Sequence, residues 1–183
     1  MKREFLTVSN LLSLLRAVLA IPFTLVMLVP EEPHRLIAAG IVAFGMLTDK
    51  LDGDIARSRG EETQWGRILD PLADKICVAV MALVLLKLGD IPATFVVALI
   101  GRDALILAGG LYLRLRKGIV VPSNAAGKWT VTAVALTLLV ALLGLIPETR
   151  WILIAVCAGG LLLSLLQYAA RFLRIVTGRE AHA

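Results

Sequence analysis

Residues 92–113 read PATFVVALIGRDALILAGGLYL, 22 positions whose only charged side chains are the adjacent pair Arg102-Asp103. A bilayer's hydrocarbon core, about 30 Å thick, asks for about 20 apolar residues in a helix, so this run has the length and composition of a membrane span. Further apolar runs lie at 11–29, 36–47 with a polar extension, 76–88 with a polar lead-in, 129–146 and 151–173. The pattern predicts an all-α, polytopic integral membrane protein with six transmembrane helices in one bundle, residues 1–183 forming a single domain. The breaks between runs carry turn chemistry: Pro30-Glu31-Glu32-Pro33, Gly89-Asp90-Ile91-Pro92 and Pro147-Glu148-Thr149-Arg150. These loops follow the first, third and fifth runs, and so share one side of the membrane.

The whole composition agrees. Of 183 residues, 58% are hydrophobic and 18% charged, and the mean hydropathy is +0.85. Soluble domains are about 45–50% apolar and about 25% charged, which excludes a soluble globule. Disorder is excluded by the same balance, since unfolded chains lack large apolar residues. A net charge of +5 would suit nucleic acid only with a solvated basic face, so the partner it implies is an anionic membrane surface and not nucleic acid. Cys77 and Cys157 lie inside apolar runs and read as small buried hydrophobes, with neither disulfide nor metal spacing.

Orientation follows from the 19 Lys and Arg. The three short loops hold Arg35, Lys87 and Arg150, whereas the opposite side holds twelve, from Lys2 and Arg3 to Arg174 and Arg179; Arg16, Lys50, Lys75 and Arg102 sit at or near membrane depth. The bias predicts that both termini and the segment 48–75 face the cytoplasm, in a multi-pass protein of the cytoplasmic (inner) membrane. Arg16 interrupts the first apolar run and no small-residue cleavage site follows it, so that run reads as a retained helix and not a signal peptide.

Ionisable groups in membrane helices mark function by default. Residues 48–75, TDKLDGDIARSRGEETQWGRILDPLADK, concentrate them. If both ends are helical, at about 100° per residue, Asp49, Asp52, Gly53, Ala56 and Arg57 fall within one arc of about 140°, and Asp54 outside it. On the following helix Gly66, Asp70, Ala73 and Asp74 share an arc of about 100°. A loop of eight residues, 58–65, lets the two stripes meet. Four carboxylates facing one another in a low-dielectric cleft need countercharge, and an all-oxygen set suits Mg2+ or Mn2+ better than zinc. Such ions usually engage phosphate as well. Gly53, Gly66 and Ala56 would let a nucleotide or pyrophosphate approach the backbone, with Arg57 as a charge-assisted partner for a phosphate oxygen. The plainer alternative, salt bridges to Lys50, Lys75, Arg57 and Arg67 that anchor the helix ends, requires neither a common face nor small residues between the acids.

The spacing Asp49-x2-Asp52-Gly53-x2-Ala56-Arg57-x8-Gly66-x3-Asp70-x3-Asp74 resembles the signature of the CDP-alcohol phosphotransferase (CDP-alcohol phosphatidyltransferase) family of six-helix membrane enzymes. Asn10, Leu12, Ser13 and Arg16 resemble the family's early Asn-x-Leu-Thr/Ser-x-x-Arg element. The resemblance implies transfer of a phosphatidyl group from CDP-diacylglycerol to an acceptor hydroxyl with release of CMP. It implies two divalent ions held by Asp49, Asp52, Asp70 and Asp74, Asp74 as general base, a CDP site lined by Gly53, Ala56, Arg57 and Gly66, and a homodimer.

Arg102 and Lys128 are the candidates for binding the acceptor, and together they would suit one carrying its own phosphate, glycerol 3-phosphate first. Their alternatives are an ion pair with Asp103 and a snorkelling interfacial lysine. Family members using glycerol 3-phosphate usually have Ala-Arg-Glu where this chain has Gly101-Arg102-Asp103, and a second lysine where it has Thr130. Both departures resemble members whose acceptor is phosphatidylglycerol; inositol phosphate and serine are the remaining acceptors. Two other classes fit less well. A transporter would place polar or broken helices near the midplane in repeated halves, and a non-catalytic scaffold would rest on small-residue pairs such as Gly109-Gly110 and Gly159-Gly160.

Overall fold

The computed structural model describes residues 8–29, 33–59, 66–118, 125–145 and 147–177, with side chains over 14–29, 33–48, 72–116, 118, 127–145 and 150–177. The described residues form six helices and no strand: α1 (Val8–Met27), α2 (His34–Arg59), α3 (Gly66–Lys87), α4 (Ala93–Lys117), α5 (Ala125–Leu142) and α6 (Pro147–Val176). One helix covers each apolar run. Helices are what a lipid environment demands, because every backbone N–H and C=O must be satisfied within the segment.

The ends are set by local chemistry. Gly89, at φ 78, closes α3: its N–H reaches the Leu86 carbonyl at 3.0 Å and that of Asp90 reaches Leu85 at 2.9 Å, a Schellman pattern that only a left-handed residue completes. Pro92, in extended conformation, precedes α4, and its carbonyl takes the N–H groups of Phe95 and Val96. Gly118, at φ 66, ends α4 by donating to the Arg114 carbonyl.

Helices α1 to α3, with Asp90 and residues 142–144, form one compact unit; α4, most of α5, and α6 form a second. In the first, α1 packs against both α2 and α3. Its buried positions Arg16, Phe23 and Met27 recur at seven and four residues, one inward stripe with a cation at its head. Gly45 of α2 meets Leu19 of α1 at the distance of ordinary contact. Arg35 forks across this unit, with Nη2 2.9 Å from Asp90 Oδ2 and Nη1 3.0 Å from the Leu142 carbonyl.

In the second unit α4 packs on α6. The buried stripes are Phe95, Leu99, Arg102 and Leu113 on α4, Thr130, Val134, Thr137 and Ala141 on α5, and Ile154, Cys157, Leu161 and Ser164 on α6. The Tyr168 hydroxyl donates to the Ile106 carbonyl at 3.1 Å and lies where a side chain at Gly109 would stand.

The outward faces are also apolar: Leu14, Val18, Ile21 and Leu25 on α1, and Ile152, Val156, Leu163 and Leu166 on α6, are exposed. A helix apolar all round belongs in protein or lipid interior. Over the described residues, Ala93–Arg116 and Arg150–Val176 are long and apolar enough to cross a membrane, whereas Leu14–Met27, His34–Thr48 and Gly127–Leu142 are shorter apolar stretches. The expectation of six spanning helices thus meets six helices, two of which are long and apolar enough over their described residues to cross a membrane. The acidic motif takes the ends of α2 and α3 that would otherwise extend their apolar lengths.

Arg35→Met should remove both arms of the fork and leave Asp90, only 11% exposed, without that guanidinium. Thermal unfolding of the detergent-solubilised protein is expected to show a loss of about 1–3 kcal/mol; an unchanged midpoint would show that the fork contributes nothing.

Candidate active site

Both halves of the acidic segment are helical, α2 through Arg59 and α3 from Gly66, as the two arcs require. At about 100° per residue, Asp49, Asp52 and Ala56 return to the register of Ala38 and Gly45, which are buried on α2. Gly66 and Asp70 return to the register of Ala73 and Val84, buried on α3. The side chains of Asp49, Asp52, Asp54, Arg57 and Asp70, and the surroundings of Gly53, Ala56 and Gly66, lie outside the described residues, as do residues 60–65 of the connecting loop.

Asp74 is described. Its carboxylate is 50% exposed and its Oδ1 is ion-paired with Nη1 of Arg16, whose side chain is 7% exposed. One turn along α3, Cys77 Sγ donates to the Arg16 carbonyl at 3.1 Å. Cys77 and Cys157 are both free thiols. Cys77, however, carries a specific contact beyond its bulk.

Arg102 and Lys128 belong to the second unit. Arg102 is buried on α4, with Nη1 2.6 Å from Asp103 Oδ1 and Nη2 2.6 Å from Ser164 Oγ on α6. Its Nε is buried without a hydrogen-bond partner among the described residues. The ion pair with Asp103 weighed from sequence is present, and Ser164 is an added partner. Lys128 is exposed in the first turn of α5 beside the exposed Trp129, at the position of an interfacial anchor.

Two partnerships escaped the sequence reading. Arg16 carries a signal after the fact: it stands seven residues before Phe23 on the buried stripe, a place where a cation needs an internal partner. Ser164 falls on the register of Cys157 and Leu161, but a serine among apolar residues announces no partner.

No cluster of three or more metal-capable side chains occurs among the described residues, which include only Asp74 of the four signature aspartates. The donor chemistry fits a hard cation all the same: all four candidates are carboxylates, and the one described is accessible.

The family model described as CDP-alcohol phosphatidyltransferase matches residues 6–167. The chain belongs to this family. Among its relatives, a probable phosphatidylglycerophosphate synthase of Mycobacterium tuberculosis is 34% identical over 181 residues, covering 93% of this chain and 83% of that protein. A CDP-diacylglycerol–glycerol-3-phosphate 3-phosphatidyltransferase of Pseudomonas fluorescens is 38% identical over 176 residues, covering 89% and 88%. A CMP-forming cardiolipin synthase of Rattus norvegicus is 39% identical over 111 residues, 60% of this chain and 36% of the relative. As a CDP-alcohol phosphatidyltransferase the chain is a membrane-associated transferase of phospholipid biosynthesis, and the signature runs through the matched region.

Ser164→Ala takes away an acceptor from a guanidinium that is 8% exposed. The expected result is a thermal midpoint lowered by the equivalent of about 1–3 kcal/mol; an unchanged midpoint would show that this bond does not hold α4 to α6.

Proposed function

We propose that the protein transfers the phosphatidyl group of CDP-diacylglycerol to the hydroxyl of glycerol 3-phosphate, releasing CMP. The observation that carries the reading is the complete two-helix signature on α2 and α3, with Asp74 presenting an accessible carboxylate at its end. The relatives named for glycerol 3-phosphate, which align with most of this chain, support the choice of acceptor.

In this reading Asp49, Asp52, Asp70 and Asp74 hold two divalent ions, Mg2+ or Mn2+. When bound, these neutralise the donor's pyrophosphate and stabilise charge on the departing CMP. Gly53, Ala56 and Gly66 leave room for the CDP moiety against the backbone, and Arg57 pairs with a phosphate oxygen. Asp74 takes the proton of the acceptor hydroxyl as its oxygen attacks the phosphatidyl phosphorus. The phosphorus–oxygen bond to CMP breaks, and CMP leaves with the electron pair. Arg102 and Lys128 bind the acceptor's phosphate. The buried Nε of Arg102, with no hydrogen-bond partner among the described residues, supports this role, because an anion would satisfy it.

A second acceptor, phosphatidylglycerol, is favoured by Gly101-Arg102-Asp103, by Thr130 and by the cardiolipin synthase relative. The arrangement proposed for the whole chain is one domain of six membrane-crossing helices in the cytoplasmic membrane, working as a homodimer. The termini and the acidic segment face the cytoplasm. The distribution of Lys and Arg supports this sidedness.

Purified protein given CDP-diacylglycerol, Mg2+ and one acceptor at a time should release CMP with glycerol 3-phosphate, and mass spectrometry should identify phosphatidylglycerophosphate. Release with phosphatidylglycerol alone would move the assignment to the second acceptor, and none with any of glycerol 3-phosphate, phosphatidylglycerol, inositol phosphate or serine would end the enzymatic reading. Arg102→Ala is expected to raise the KM for glycerol 3-phosphate about tenfold or more while leaving that for CDP-diacylglycerol within about threefold; equal effects on both would refute its role at the acceptor.

A further inference from the structure

Three ion pairs join described side chains, and one differs in kind. Arg35–Asp90 and Arg102–Asp103 shield their carboxylates, which are 11% and 17% exposed. In Arg16–Asp74 the cation is 7% exposed and the carboxylate 50%. A pair that serves only to neutralise a buried charge has no need of an open carboxylate. A buried cation paired with an accessible acid is an arrangement that orients a working group.

The surroundings of Arg16 make it a fixed point. It shares a stripe with Phe23 and Met27, which are 3% and 1% exposed, so its side chain leaves α1 on the core side. Across from it α3 presents Ala73, small and buried, and Cys77, whose thiol holds the Arg16 carbonyl. Side chain and backbone of Arg16 are thus both tied to α3, at residues 74 and 77. A half-exposed aspartate on a helix has several rotamers, and a charge-assisted bond to a buried guanidinium favours those that reach it.

We propose that Arg16 is a positioning residue for the transfer reaction, holding the Asp74 carboxylate in the orientation in which it completes the divalent-cation site and receives the acceptor's proton. Cys77 backs it by fixing the Arg16 backbone. The inference rests on the assignment of Asp74 above and adds to it a residue of α1, outside the two-helix signature. Groups behind metal ligands typically change affinity or activity 10–100-fold when removed, by letting the ligand drift.

The sign of the effect on cation binding separates positioning from charge. Removing a positive charge beside a cluster of carboxylates should, by Coulomb attraction alone, tighten binding of a divalent cation. Removing a positioning group should weaken it. The full chain in detergent, as wild type, Arg16→Met, Arg16→Lys, Cys77→Ala and Asp74→Asn, is titrated with Mn2+, the free ion being read by electron paramagnetic resonance. CMP release is measured on the same samples, normalised to folded protein.

Arg16→Met is expected to weaken Mn2+ binding about 10–100-fold and to lower kcat by a similar factor, with the KM for CDP-diacylglycerol within about threefold. Arg16→Lys, which keeps one charged donor toward Oδ1, should recover most of both losses. Cys77→Ala should shift both a few-fold in the same direction. Should Arg16→Met fail to fold, Arg16→Gln carries the same expectation. Mn2+ affinity that is unchanged or tighter in the neutral variants, with kcat retained, overturns the inference and leaves Arg16 a structural charge. Asp74→Asn tests the underlying assignment separately: if it binds Mn2+ and turns over like wild type, the role of Asp74 itself fails.

Discussion

A charge carried on an apolar helix must find its partner inside the protein, because neither lipid nor a close-packed core will solvate it, and the described part of this molecule is organised by that requirement. Arg16, Arg35 and Arg102 each stand on a largely apolar helix, and each is answered by an aspartate of its own compact unit. The partners come from different places: from α3 for Arg16, from the turn after α3 for Arg35, and from the adjacent residue, with Ser164 of α6, for Arg102. Apolar stripes alone would allow helices to slide or rotate against one another with little change in energy. A charged hydrogen bond at a defined height removes that freedom.

The stripes themselves are simple. On α5 and α6 the buried residues recur mostly at three- and four-residue intervals, and some polar side chains bond across to a neighbouring helix whereas Thr137 donates to the Ala133 carbonyl of its own. Thr130 donates to the Gly160 carbonyl at 3.3 Å, and Tyr168 donates to that of Ile106. Small residues make room where this happens. Gly109 yields to Tyr168 and Gly160 to Thr130. Helix contacts in membranes depend on such close approach and on occasional polar links, since burying apolar surface from lipid contributes little. The signature of the family lies on two helices of the same kind, at the end of α2 and the start of α3.

Much of this was open to sequence reading. Six helices could be counted because apolar runs of sufficient length alternate with Pro- and Gly-containing breaks, and the Gly89-to-Pro92 turn appears as read. The aspartates could be singled out because helical periodicity is regular enough to place residues 49, 52 and 56, or 70 and 74, on shared faces without knowing what lies opposite. What could not be read was partnership across large sequence separations. Arg35 read only as one of the few basic residues of the short loops, yet its guanidinium spans Asp90 and the Leu142 carbonyl. Among the described residues two helices are long and apolar enough to cross a membrane, and the acidic ends of α2 and α3 lie beside shorter apolar stretches, as the polar extension and lead-in of those runs read in the sequence.

Composition, periodicity and the spacing of the acids are local properties of the chain, and by themselves they determined that this is an all-helical, membrane-associated protein with a carboxylate signature on two successive helices. Periodicity states which face of a helix a residue occupies, but not the rotation or height of the helix that meets it. Only the tertiary structure decided that Arg16 and Asp74, 58 positions apart, stand together, that Cys77 secures the same residue from the next turn, and that Ser164 receives Arg102. These pairings depend on how α1 and α3, or α4 and α6, settle against each other. That is fixed by the fit of whole faces and by the cost of leaving a buried charge unmet, and neither is written at any single position.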